Sequence, residues 1–98
     1  MWTLRTSVQN GTEPTAFRLS AGAVKTLGRA TRADFVLDAA LVSRFHCRLS
    51  VTATDTLEVE DLQSTNGTWV NGRRVQRLQL AAGDQLRIGR VEMTVERA

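Results

Sequence analysis

Three short segments of this sequence carry groups suited to holding an anion. They are Leu27-Gly28-Arg29, Ser43-Arg44-Phe45-His46, and Ser64-Thr65-Asn66-Gly67-Thr68-Trp69-Val70-Asn71-Gly72. Arginine supplies charge-assisted donors in a planar fork. Ser, Thr and Asn side chains and backbone N–H groups supply directional neutral donors. A phosphate group, with three acceptor oxygens and most of two negative charges at neutral pH, is matched by that mixture. Ser43 and His46 are also the residue types of a nucleophile and its base. No acid partner and no oxyanion site accompany them, so Ser43 reads as a hydrogen-bond donor and His46 as a group bonded to loop backbone. The plain alternative for Arg29 is a surface ion pair with Asp34 or Asp38.

Composition agrees with an anionic partner without naming one. The formal charge is +3, and of 13 basic residues all but Lys25 are arginine. At 98 residues the chain has room for one domain, spanning 1–98, and not for a catalytic domain beside a regulatory one. With 42% hydrophobic and 23% charged residues it is an ordinary globular composition, which excludes disorder, collagen and coiled coil. The lone Cys47 closes no internal disulfide, and with the lone His46 it builds no structural zinc site. Neither a metal nor a cofactor is expected. Cys47 reads as a small buried residue rather than a reactive thiolate. Met1-Trp2-Thr3-Leu4-Arg5 opens no signal peptide, and no stretch approaches the ~20 apolar residues of a membrane span. The expectation is a soluble, cytoplasmic protein in a reducing compartment. The chain stops just after its last strand, which suggests a module of a longer polypeptide.

The elements that must position the three segments are strands. The apolar period is two. Phe45, Cys47, Leu49 and Val51 fall on one face, with Arg44, His46, Arg48 and Ser50 on the other. Val91, Met93 and Val95 alternate with Glu92, Thr94 and Glu96 in the same way. Trp2/Leu4, Phe17/Leu19, Val24, Phe35/Val36/Leu37, Leu57/Val59 and Leu86/Ile88 mark further short strands. Turn signals separate them at Asn10-Gly11, Ala21-Gly22, Asp55, Asn66-Gly67, Asn71-Gly72 and Gly83-Asp84. Asn71-Gly72 between Thr68-Trp69-Val70 and Arg73-Arg74-Val75 predicts a two-residue hairpin of type I′. Gly67 and Gly72 are expected to need positive φ. Gln63-Ser64-Thr65 reads as a polar exposed loop. The best helical window, Val75–Ala82, is cut short by Gly83-Asp84. Strand signals at this spacing predict an all-β sandwich or barrel, in which loops from distant strands gather at one end.

The order and spacing of these motifs resemble the forkhead-associated (FHA) domain family. The matching residues are Gly28-Arg29, Ser43-Arg44-Phe45-His46, Asn66-Gly67 and Thr68-Trp69-Val70-Asn71-Gly72. The closing segment Gly83-Asp84-Gln85-Leu86-Arg87-Ile88-Gly89 is also similar to the family's. The resemblance runs from about Trp2 to Glu96. It implies a sandwich of two antiparallel sheets with roughly eleven short strands, and a module that binds phosphothreonine in partner proteins and is itself no enzyme. It implies that Arg29 pairs with the phosphate and that Ser43 donates its hydroxyl to a phosphate oxygen. Arg44 adds a backbone or guanidinium contact, and Thr65 adds a further donor. Asn66 holds the ligand backbone just after the phosphothreonine. Gly28, His46 and Gly67 are architectural. The implied partners are a phosphothreonine-bearing protein or peptide and an upstream Ser/Thr kinase, with the domain a monomer. Two positions depart from the family's pattern. Leu41, two residues before Ser43, suggests an apolar preference or none for the residue about three places after the phosphothreonine. Cys47 stands where the family often has alanine.

Three rivals use the same residues. A phosphate-independent interaction or assembly module on this fold captures partners without Arg29. A nucleic-acid binder uses the arginine surface, for example Arg73, Arg74 and Arg77. With +3 net charge and no interleaved aromatics, that cluster reads instead as a solvated hairpin. Trp2 and Trp69 likewise read as core or edge packing rather than a stacking platform. The third rival, a hydrolase, rests on Ser43 and His46.

Overall fold

The computed structural model describes residues 1–6 and 14–98. The Asn10-Gly11 turn signal lies outside the described residues. Among the described residues eleven strands run in chain order: β1 Trp2–Thr6, β2 Ala16–Leu19, β3 Val24–Gly28, β4 Phe35–Val36, β5 Cys47–Val51, β6 Leu57–Asp61, β7 Thr68–Val70, β8 Arg73–Val75, β9 Arg77–Leu80, β10 Gln85–Ile88 and β11 Val91–Arg97. They form two sheets, ordered β2-β1-β11-β10-β7-β8 and β4-β3-β5-β6-β9. Every pairing is antiparallel except β3 with β4, which is parallel. No helix of the described residues is long and apolar enough to cross a membrane.

The period-two pattern explains the sandwich. Leu4, Leu19, Val70, Leu86, Ile88, Met93 and Val95 line the inner face of the six-stranded sheet. They meet Leu27, Cys47, Leu49, Val51, Leu57, Val59 and Leu80 of the five-stranded sheet in one continuous core. Each fully buried Leu or Val contributes about 1.5–3 kcal/mol relative to exposure. The outer faces carry charge, with Arg48 bonded to Glu60 and Arg77 to Glu58 on facing strands. The Val75–Ala82 window holds the end of β8 and the whole of β9, and pairing of Leu80 with Leu57 and Leu78 with Val59 completes the ladder of β6. The β7–β8 turn has φ of 50° at Asn71 and 82° at Gly72, as a type I′ hairpin requires.

The expected alternation fails at one place. It holds from Cys47 onward, but Phe45 is 42% exposed and His46 is fully buried, the reverse of the reading from sequence. The strand begins only at Cys47, and a turn at Arg44-Phe45 breaks the period before it.

Candidate functional site

The connections after β3, before β5 and after β6 meet at one end of the sandwich. Gly28 ends β3 without a positive φ. It is glycine for want of space. A Cβ there would lie 2.0 Å from the Arg44 carbonyl oxygen and 2.9 Å from Phe45 Cα. This close approach lets Arg29 N–H bond to the Ser43 carbonyl at 3.0 Å and Ala30 N–H to the Arg44 carbonyl at 3.0 Å. The first two segments are thereby locked together by backbone.

His46 joins the third. Its Nδ1 accepts the backbone N–H of Ser43 at 3.1 Å, and its Nε2 lies 2.8 Å from the Gly67 carbonyl. One partner is a donor and the other an acceptor, so the ring is the neutral Nε2–H tautomer. Both nitrogens are spent on loop backbone. The His46 ring is bonded to the Ser43 amide and not to its hydroxyl, so it ties loop to loop through backbone.

A buried network shapes the third segment from within. Asp61 Oδ1 accepts from the Ser64 hydroxyl at 2.5 Å and from the Thr68 hydroxyl at 2.7 Å, and Oδ2 accepts the Ser64 N–H at 3.1 Å. Ser64 Oγ in turn accepts the Gly67 N–H at 3.0 Å. Burial raises the pKa of Asp61, but the bonds from Ser64 and Thr68 together outweigh it and hold the carboxyl below its ordinary range. Ser64 is therefore buried, and the exposed loop expected over Gln63-Ser64-Thr65 is exposed only at Gln63 and Thr65. Asp61 and Ser64 did not stand out by motif. The signal available was an Asp at a strand end with a Ser three residues on, the pattern of a local side-chain cap.

These constraints bring Arg29, Ser43, Thr65 and Asn66 to one open cavity of about 500 Å³, with Asp38, Ala39, Ala40, Leu41 and Val42 completing its wall. Arg29 Nε donates to the Val42 carbonyl at 3.1 Å, which fixes the guanidinium and leaves its other N–H groups to a ligand. Ser43 Oγ accepts the Thr65 N–H at 3.2 Å, so its own proton is free to donate. Asn66 Nδ2 donates to the Leu41 carbonyl at 3.1 Å, tying the third segment to the chain just before the second. Leu41 holds φ of 68° and is 48% exposed on the rim. Arg44 does not line this cavity; its side chain lines an adjoining one that shares Arg29 as a wall.

The surface-pair alternative for Arg29 does not describe the structure. Asp34 instead accepts the backbone N–H and hydroxyl of Thr26, at 2.9 and 3.1 Å. Asp38 lines the same cavity as Arg29, but among the described residues Arg29 is in no ion pair. Trp2 is core, and its indole N–H donates to the Asp55 carbonyl. Trp69 is half-buried under the Arg87 guanidinium, and its N–H donates to the Asn66 carbonyl, which braces the site loop from behind. Cys47 is fully buried, and burial pushes its thiol far above the ordinary range.

Comparison with known proteins agrees with this arrangement. The FHA domain family matches residues 25–89. The chain is 43% identical over 75 residues to the ABC transporter ATP-binding/permease protein Rv1747 of Mycobacterium tuberculosis, covering 76% of this chain and 8% of that protein. It is 44% identical over 69 residues to the FHA domain-containing protein FhaA of the same organism, covering 70% of this chain and 13% of that one. Among solved structures, the FhaA FHA domain complexed with the intracellular domain of Rv3910 superposes with a TM-score of 0.85 at 35% identity, covering 98% of this chain and 100% of that one. A structure from a study of phosphothreonine-dependent FHA domain interactions gives 0.86 at 35% identity, covering 99% and 96%. With the family match spanning both ends of the three-loop cavity and the sandwich shared throughout, the chain belongs to the FHA domain family.

Proposed function

We propose that this domain is a phosphothreonine-dependent docking module, which seats a kinase-phosphorylated segment of a partner protein in the Arg29–Ser43–Asn66 cavity. One observation carries the reading. Donors from three separate loops converge on one open cavity whose arginine is anchored by its Nε yet in no ion pair with a described residue. In this reading Arg29 neutralises the phosphate and the Ser43 hydroxyl and Thr65 donate to its oxygens. Asn66 holds the ligand backbone, and Arg44 adds positive charge from the adjoining wall. Each charge-assisted bond is worth about 1.5–3 kcal/mol. Gly28, His46 and Gly67 hold the loops and touch no ligand. Recognition needs no bond-making step, so the module acts without catalysis, as a monomer, downstream of a Ser/Thr protein kinase in the cytoplasm. The relative solved in complex with the intracellular domain of Rv3910 supports a protein partner.

The test is calorimetric titration with matched phosphorylated and unphosphorylated threonine peptides. Phosphorylated peptide alone should bind, and Arg29→Ala and Ser43→Ala should each weaken binding at least tenfold, about 1.4 kcal/mol, with the fold intact by circular dichroism. Equal binding of both peptides, or partner capture that survives Arg29→Ala, would establish the phosphate-independent module instead.

A further inference from the structure

The cavity adjoining the site, of about 340 Å³, is walled by Arg29, Ala30, Thr31, Arg32, Arg44 and Phe45. Half of its lining residues are arginines, and no carboxylate is among them. None of the three arginines is in an ion pair with a described residue; Arg18, Arg73, Arg74, Arg87 and Arg90 share that state, and what sets these three apart is that they wall one concavity together. Like charges gathered around one concavity repel one another and create a local positive potential, which an incoming anion relieves.

The concavity is held by backbone rather than by the long side chains themselves. Arg29 and Ala30 are bonded to the carbonyls of Ser43 and Arg44, and the Ala33 N–H closes a turn on the Ala30 carbonyl at 3.0 Å. Ala33 is buried, so Arg32 projects from a turn with a fixed base. Phe45 is turned outward against the apolar alternation, and it gives the wall an apolar surface that the core does not use.

We propose that this cavity is a second anion subsite, which receives an acidic side chain of the same ligand, carboxylate or second phosphate, near the phosphothreonine. Arg32 and Arg44 hold the anion, and Phe45 packs against the carbon chain that bears it. The inference rests on the phosphothreonine reading of the first cavity. Because the two cavities share Arg29, one continuous peptide fills both. An extended chain advances about 3.3–3.6 Å per residue, so the flanking position that reaches the second cavity is set by its distance from the first.

The experiment is a flank scan by fluorescence anisotropy on the whole 98-residue domain. A parent peptide carries phosphothreonine flanked by alanines. Each flanking position in turn is replaced by aspartate, glutamate or a second phosphothreonine. One or two adjacent positions should tighten wild-type binding about tenfold, and Arg32→Ala should abolish that gain. The same variant should bind the parent peptide within about twofold of wild type, as a surface substitution away from the primary contact does. Arg18→Ala, which lines neither cavity, should keep the gain. The carboxylate and phosphate arms identify which acid the subsite takes, and an Arg32-dependent gain from either supports it. A parent that binds normally with a flat flank scan overturns the second subsite alone, as does a gain that survives Arg32→Ala. A parent that fails to bind wild type overturns the phosphothreonine reading and this inference with it.

Discussion

Gly28→Ala should both destabilise the domain and disable its site, and the size of the effect follows from the packing. Alanine at a position with ordinary φ normally stabilises by about 0.4–1 kcal/mol, because the unfolded chain loses freedom. Here the added Cβ would meet the Arg44 carbonyl oxygen at 2.0 Å, the Arg44 carbonyl carbon at 2.7 Å and Phe45 Cα at 2.9 Å. A comfortable carbon–oxygen contact is about 3.3 Å, so the two backbones must part by roughly 1.3 Å. The neighbours are backbone and have no rotamer to adopt. Parting them stretches three bonds now at 2.8–3.0 Å, from Arg29 N–H to Ser43, from Ala30 N–H to Arg44 and from His46 N–H to Leu27. At about 1 kcal/mol net for each bond and 1–3 for overpacking, the loss outweighs the entropic gain and comes to about 3–5 kcal/mol. Against a total stability of about 5–15 kcal/mol that is a large shift. Urea unfolding followed by tryptophan fluorescence measures it as a lower midpoint at unchanged slope. Phosphopeptide affinity should fall in parallel, since Arg29 and Ser43 lose their common frame. A midpoint at or above that of wild type would refute the steric account and leave only the entropic one.

Other positions separate different causes. Gly72→Val meets nothing within 4 Å but must hold φ near +82°, and it should cost about 1–3 kcal/mol in urea with peptide affinity unchanged. Gly67→Val combines a similar φ with a contact at 2.6 Å from Arg74 Nε, so it should lose binding as well. Asp61→Asn puts an amide among the three donors that now converge on the carboxylate, and it should cost about 1–3 kcal/mol at neutral pH. Because folding lowers the Asp61 pKa, its contribution is complete above the unfolded value and is lost as pH falls through the folded one. The gap between wild type and Asp61→Asn in urea melts should therefore hold from neutral pH to about 4 and close below it. Cys47 should resist a thiol-modifying reagent in the native protein and react on unfolding, because it is fully buried and its thiol is held protonated. Rapid modification under native conditions would mean that β5 opens far more readily than its central place in the sheet implies.

Strands β1, β2, β5, β6, β10 and β11 were legible because each buries alternate residues, and a period of two survives without tertiary information. Leu49 and Val51, or Met93 and Val95, announce an inner face wherever the chain later goes. The Asn71-Gly72 hairpin was legible for a local reason too, since only a few residue types accept positive φ at both positions. The residues that gather at the cavity could be read from segment motifs, since Arg29, Ser43, Thr65 and Asn66 all line it.

What sequence could not supply is any property set by contact between segments. His46 was assigned to the outer face by alternation and lies in the interior, because the Ser43 amide and the Gly67 carbonyl claim its two nitrogens. Ser64 looked like loop and is buried, because Asp61 takes both its hydroxyl and its amide. Gly28 admits a neighbouring backbone, which no local motif reveals. Arg29 and Arg44 stood close in the motifs, and packing places Arg29 on the wall of both cavities and Arg44 on that of the second alone. Local pattern alone thus specified the strands, the turns between them and the chemistry of the groups at their ends, since all three are local. Which of those groups face one another, and which are spent holding the loops, was decided only when three segments distant in the chain came into contact.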